Sequence, residues 1–171
     1  DLLISNTVHT IYRTKLVGMG GNYTSKVGTV NTITNSAFSS VTGYGIWTRG
    51  TIGTIGGNTT VTSTGNDAVW VANSGVINTI SGGTIKGITI SGTLGTITGG
   101  TFDFSTYTAS NYGTIKNYIA SGKAARLDST SGSGIFTVVT NSGLTSGTYM
   151  AAPNGVDYTT GTATINGVSY T

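Results

Sequence analysis

The feature that most constrains the fold is a six-residue motif that recurs along most of the chain. It reads Gly, Thr, an apolar residue, any residue, Thr, and a second apolar residue. Four clear copies begin at positions 28, 50, 75 and 92, and weaker copies begin at 6, 113 and 134, so successive copies are 22, 22, 25, 17, 21 and 21 residues apart. A repeat of this length indicates one structural unit per copy, stacked on its neighbours.

The two apolar residues of each motif are three positions apart, so they do not alternate as in a continuous strand. We interpret the spacing as a bend between two short strands that face one interior. Stacked copies would then form two interior columns: Val8, Val30, Ile52, Ile77, Leu94, Ile115 and Phe136 in one, and Ile11, Ile33, Ile55, Ile80, Ile97, Tyr118 and Val139 in the other. A further apolar residue follows most copies: Leu16, Phe38, Val61, Ile85, Phe102 and Leu144.

The composition also argues for strands rather than helices. Thr makes up about a fifth of the chain, 28 residues are Gly, and Glu and Gln are absent. Thr, Val, Ile and Tyr favour pleated surfaces, and good helix formers are scarce. Disordered chains normally have few β-branched and aromatic residues, whereas both are plentiful here. We therefore expect an all-β protein with almost no helix.

The simplest fold for such a repeat is a right-handed parallel β-helix (β-solenoid) of about seven coils. We expect it to span residues 1–146. Residues 147–171 leave the repeat and form a C-terminal β-hairpin or strand extension, because Asn166-Gly167 is a strong signal for a two-residue turn. Glycine doublets at 56–57, 82–83 and 99–100 are expected to turn corners at positive φ.

The motif over residues 6–144 resembles the right-handed parallel β-helix family of secreted surface proteins. That family includes adhesin passenger domains, filament and sheath subunits, and phage spikes. The resemblance implies a shape rather than an activity, since such families contain enzymes as well as scaffolds.

The ends of the chain favour self-assembly. A solenoid exposes strand edges at both ends, and no capping helix is evident in the sequence. The leading prediction is an extracellular structural protein that pairs with itself head to tail, as a homopolymer in a filament, sheath or surface layer. The predicted assembly interface comprises the apolar residues of the terminal strands: Leu2, Leu3, Ile4, Ile165, Val168 and Tyr170.

Two other functions stay open. A glycan-binding adhesin or spike-type module would use exposed aromatic side chains, because aromatic faces suit sugars. The candidates are Trp47, Trp70, Tyr44 and Tyr107. An ice-binding protein is the weaker alternative, and would use a regular column of threonines: Thr10, Thr32, Thr54, Thr79, Thr96 and Thr137 or its neighbour Val138.

Few residues could carry chemistry. The five carboxylate side chains, at positions 1, 67, 103, 128 and 157, are far apart in sequence, although stacking could bring Asp67 near Asp103. Glycosidases need neighbouring carboxylates. His9 is the sole histidine and occupies the variable motif position, and cysteine is absent. We therefore expect no enzyme activity, no cofactor and no metal site.

Charge and hydropathy limit the possible partners. The net charge is +3 and the eight basic residues are scattered singly, so we expect no nucleic-acid binding. No apolar run approaches the roughly 20 residues of a membrane span. The chain opens on Asp1 without Met, as after removal of a signal peptide, and its Thr-, Ser- and Asn-rich composition favours an extracellular location. Asn22 and Asn58 lie in glycosylation sequons, a number that chance alone supplies.

Overall fold

A computed structural model describes residues 2–18, 21–24, 28–106, 108, 110–127, 134–140, 149–151, 163–165 and 168–170. The protein is mostly β-strand and forms a β-solenoid of about four complete turns, which connect five stacked levels, called coils here. A complete coil contributes three short strands, so the solenoid has three sides. Each strand pairs in parallel with the equivalent strand of the next coil. The fold class predicted from the repeat is therefore confirmed.

The three sides are named here in chain order within a coil. Side one contains β2 (Thr7–Tyr12), β5 (Thr29–Thr34), β8 (Thr51–Gly56) and the first parts of β11 (Val76–Ile85) and β13 (Thr93–Asp103). Side two contains β3 (Lys15–Gly18), β6 (Ala37–Ser40), β9 (Thr60–Ser63) and the last parts of β11 and β13. Side three contains β1 (Leu3–Ile4), β4 (Gly21–Thr24), β7 (Tyr44–Thr48), β10 (Val69–Val71) and β12 (Ile88–Ile90).

Equivalent apolar residues of side one stack directly on one another through five coils. One column runs through Ile11, Ile33, Ile55, Ile80 and Ile97, and the other through Val8, Val30, Ile52, Ile77 and Leu94. The ladder omits the fourth residue of each motif, and the apolar residues one position before it and two positions after it are buried, for example Val30 and Ile33 around Asn31. The predicted change of direction therefore lies within a single strand and not between two strands. In the middle coils these isoleucines are fully buried.

The corner between sides one and two requires left-handed backbone in every coil. Arg13, Asn35 and Gly57 occupy it in the first three coils with φ of 49°, 50° and 59°. The second glycine of the next two doublets does so in the last two, at Gly83 and Gly100. Glycine and asparagine tolerate this conformation best. The prediction that the glycine doublets turn corners is confirmed.

Side two supplies the third interior column. Leu16, Phe38, Val61, Ile85 and Phe102 are in register from coil to coil. Leu144, the last predicted member of this column, lies outside the described residues. Phe102 faces Phe136 across an antiparallel pair.

The sixth motif copy is not a coil. Its residues form the short helix α1 (Tyr112–Ile115) and a 3₁₀ turn (Lys116–Tyr118). Asn111 caps the start of the helix. Its side-chain oxygen accepts a hydrogen bond from the Gly113 amide at 2.8 Å, and its own backbone amide donates to the Thr114 hydroxyl at 3.2 Å. Ile115 is fully buried, and Ile119 rather than Tyr118 lies beside Ile97.

The seventh copy is an antiparallel strand. β15 (Ile135–Thr140) pairs with β13 on one side and with β14 (Lys123–Leu127) on the other, and β14 pairs with β16 (Tyr149–Ala151). Val139 faces Ala124 and does not extend the isoleucine column. The prediction of seven coils was therefore wrong, because two copies share the apolar spacing of the motif but not the parallel stacking.

The C-terminal end of the solenoid is covered. The Ala120 amide donates to the Ile97 carbonyl at 2.9 Å, and the Ile88 amide donates to the Ser110 hydroxyl at 2.9 Å. The expectation of an end without a capping helix was wrong there, since α1 and β15 shield the last coil. Beyond them, β17 (Ala163–Ile165) and β18 (Val168–Tyr170) form the predicted antiparallel hairpin. Its Asn166 and Gly167 lie outside the described residues, and the division between residues 146 and 147 stays a prediction.

Candidate functional site

Side three carries an aromatic cluster made of Tyr44, Trp47 and Trp70. Trp47 and Trp70 are directly paired on neighbouring coils, and their rings stack with centroids 5.0 Å apart and an interplanar angle of 12°. Tyr44 packs against Trp70 at 5.0 Å and 41°. The ring separation follows the roughly 4.8 Å spacing of strands in a sheet. All three side chains are partly exposed, so the cluster presents an aromatic surface to solvent.

A cleft of about 350 Å³ lies beside this cluster. This volume is at the lower end of the roughly 300–1,000 Å³ range of small-molecule sites. The cleft combines indole rings with polar groups, as such sites usually do. It is lined by Trp47, Arg49, Trp70, Ala72, Asn73 and Ser74.

The polar wall of the cleft is a tight turn that follows β10. The Gly75 amide donates to the Ala72 carbonyl at 2.7 Å and closes the turn. The Ala72 amide donates to the Thr48 carbonyl of the coil below at 2.9 Å. A Cβ on Gly75 would overlap that same carbonyl oxygen, so glycine is needed here. The turn is therefore held firmly against the neighbouring coil, and the wall is preformed.

Hydrogen bonds also position the two remaining walls. The Ser74 hydroxyl donates to the Arg49 carbonyl at 2.9 Å, which ties the turn to the end of β7. The Trp70 indole nitrogen lies 3.4 Å from the Ser91 hydroxyl oxygen of the next coil. The first contact fixes the backbone of Arg49, the second orients the Trp70 indole, and both residues line the cleft.

The carboxylates that could have formed a catalytic pair have structural partners. Asp67 is buried and accepts a hydrogen bond from the Thr89 hydroxyl at 2.7 Å. Asp103 is buried, accepts from the Ser105 amide and hydroxyl, and lies 3.9 Å from the Lys86 ammonium. Both therefore hold corners of the solenoid together. The proposal that the chain is not an enzyme stays a prediction.

The described residues contain one histidine, His9. His9 is exposed, and its Nδ1 lies 3.1 Å from the Asn31 side-chain amide on the next coil. Among the described residues, no three histidine or acidic side chains gather as a metal site would require. No helix within the same residues has the length and apolar character needed to cross a membrane.

The threonine column predicted on side one exists through five coils, in register from Thr10 to Thr96. Thr137 is not part of it, because it pairs with Thr101 on side two and their hydroxyls are 2.9 Å apart. Exposed side chains interrupt the same side at His9, Asn31 and Asn78. The surface is therefore less even than a pure threonine array.

The predicted assembly residues are divided between the two ends of the chain. β1 pairs with β4 and forms one edge of side three; Leu3 is 64% exposed, Ile4 is buried, and Leu2 packs partly against the core. The other three residues belong to the terminal hairpin, where Ile165 pairs with Val168 and Tyr170 with Ala163. The two groups belong to different sheets, and their role in assembly stays a prediction.

Comparison with family models, with curated proteins and with solved structures found no match. The function is therefore argued from geometry alone. Sequence reasoning found the aromatic residues of the cluster, although Tyr107 lies outside the described residues. It missed Arg49, Asn73 and Ser74. A similarity between two segments could have revealed them: Ile46-Trp47 and Val69-Trp70 are equivalent pairs, and each is followed by a polar turn.

Proposed function

We propose that this chain is an extracellular surface protein that binds carbohydrate in the cleft beside Trp47 and Trp70. The observation that carries the proposal is the register of these two residues, which places two indoles against one cavity, with Tyr44 packed on one of them. Indole rings pack well on the apolar face of a sugar, and nearby polar groups can bond its hydroxyls. Asn73 and Ser74 supply such groups.

Binding of this kind needs no chemical step. The turn that carries Asn73 and Ser74 is already held in place by its neighbours, so little ordering accompanies association. The small volume of the cleft favours a short oligosaccharide over a long chain segment. The threonine-, serine- and asparagine-rich composition supports an extracellular location.

Replacing Trp70 with Ala is expected to weaken carbohydrate binding by about thirtyfold, close to 2 kcal/mol, because central aromatic residues carry much of the energy at binding sites. A glycan array would first identify the sugar, and isothermal titration calorimetry would then measure its affinity for both proteins. Trp70→Phe should retain part of the affinity, since it keeps an aromatic ring.

Tyr12→Ala is the matched control for this experiment. Tyr12 is an exposed aromatic residue on side one, away from the cleft, so its removal should leave the affinity unchanged. Equal losses in the Tyr12 and Trp70 variants, or no binding to any glycan by the unmodified protein, would refute the proposed site.

End-to-end assembly is the second candidate, and one observation favours it. The strand order of the largest sheet begins with β16 and ends with β2, so these two are edge strands. Edge strands present unpaired backbone groups that can accept a strand from another molecule. Pairing of β16 in one copy with β2 of the next would repeat without closing and would produce a filament.

Deleting residues 147–171 removes β16 together with the terminal hairpin, and is expected to abolish any filament seen by negative-stain electron microscopy. Deleting residues 161–171 removes only the hairpin strands and distinguishes the two segments: filaments should survive if β16 makes the contact. Filaments that persist after the longer deletion would rule out strand pairing through the C-terminal segment.

A further inference from the structure

The cleft contains one charged side chain, Arg49, among its six lining residues. Arg49 is exposed and follows Trp47 by two positions, directly after β7 ends. The hydrogen bond from Ser74 to its carbonyl fixes its backbone beside the polar turn. The fold therefore fixes the backbone of Arg49 beside the turn, and its side chain lines the same cleft as the indoles.

None of the other five lining residues is charged. Asp67 lies before β10, whereas the cleft residues Ala72 to Ser74 follow it, so about five strand residues or roughly 16 Å separate its backbone from theirs. Asp103 is buried on side two beside Lys86. A ligand in the cleft would therefore meet a guanidinium and no carboxylate among the lining side chains.

We infer that the cleft selects sugars that carry a carboxylate over neutral sugars of the same size, an inference that rests on the proposed carbohydrate site. A guanidinium can bond both oxygens of a carboxylate in a planar, bidentate contact. The indoles would pack against the apolar face of the same sugar ring. Uronic-acid residues combine these two features and are the class of ligand that the cleft fits.

The test compares trigalacturonic acid with the neutral galactose trimer of the same linkage. Calorimetry at low salt should show at least a tenfold preference for the acidic trimer, because hydrogen bonds between charged groups are markedly stronger than neutral ones. Added NaCl should reduce the preference, since the contact is exposed to solvent. In Arg49→Gln the two trimers should bind with similar affinity, because the charged partner of the carboxylates is gone.

Arg126→Gln is the control that removes the same charge elsewhere. Arg126 is exposed on β14, among the antiparallel strands of the C-terminal segment, so this variant should keep the full preference. Circular dichroism and thermal unfolding of both variants establish that they fold alike.

The outcomes separate this inference from the proposed function. Equal affinity of the unmodified protein for both trimers would overturn the charge preference and leave carbohydrate binding in place. A preference that survives Arg49→Gln would overturn the role of Arg49. Equally tight binding of a sulfated galactose trimer would overturn the assignment to carboxylates. Binding of neither trimer would overturn the preference for uronic acids, whereas the proposed function is overturned only if the glycan array shows no bound sugar.

Discussion

Replacing Ile80 with Ala is expected to lower the free energy of unfolding by about 3 kcal/mol. Ile80 is fully buried in the middle of the isoleucine column, in register with Ile55 below and Ile97 above. The backbone on both sides is fixed by ladder hydrogen bonds, so the structure has little freedom to collapse into the space left by the side chain. The loss therefore includes a cavity as well as the lost burial.

Urea unfolding followed by circular dichroism would measure this loss. Thr79→Ala is the control, because Thr79 precedes Ile80 on the same strand but is partly exposed; it should change stability by less than about 1 kcal/mol. A loss below about 1 kcal/mol in Ile80→Ala would mean that the column is not tightly packed, and would contradict the stacking described here.

Replacing Gly92 with Ala is expected to destabilise the protein by a similar amount, about 3 kcal/mol. A Cβ on Gly92 would overlap the carbonyl oxygens of both Ala72 and Gly75. These are backbone atoms of the turn that forms the polar wall of the cleft, so rotation of a side chain cannot relieve the overlap. The variant should also bind carbohydrate less well, because the turn must shift.

Gly113→Ala is the matched control for Gly92→Ala. Gly113 lies in α1, and the one heavy atom close to an added Cβ is the side-chain oxygen of Asn111. Alanine also favours helix over glycine, so stability should change little. Thermal unfolding would compare the two, and an undiminished melting temperature in Gly92→Ala would show that the turn is more adaptable than its contacts indicate.

The stack of coils could be predicted from sequence because one requirement repeats in each coil. Each motif must place two apolar residues inside, and their identity as Val, Ile or Leu hardly varies from Val30 and Ile33 to Leu94 and Ile97. Parallel strands in register turn this chemical similarity into spatial columns. Register, buried residues and the glycine corners all follow from that single rule.

The prediction failed for the last two motif copies because a six-residue motif does not distinguish a solenoid coil from an antiparallel strand or from a short capping helix. In the coils the inward residues are three apart, whereas in β15 the buried residues Phe136 and Val138 are two apart, as in a regular strand. At residue 113 the decisive feature was Asn111, which lies before the motif and caps a helix. The longer context therefore held information that the motif alone did not.

The cleft could be predicted only in part. Trp47 and Trp70 follow equivalent apolar residues, and their stacking is a consequence of the register. Which polar side chains face them depends on how the chain turns after β7 and β10. Those turns differ in length and sequence, so the repeat does not determine them.

The antiparallel arrangement of β15 also limits how a protein of this design can change its length. A new parallel coil must pair with the edge of an existing strand. On β13 that edge is already paired with β15, which runs in the opposite direction. Duplication of a unit after β13 would thus find no matching template, whereas a duplicated unit between β5 and β11 would meet one on each side. Variation in size is expected to arise by internal insertion, with the closing segment inherited unchanged.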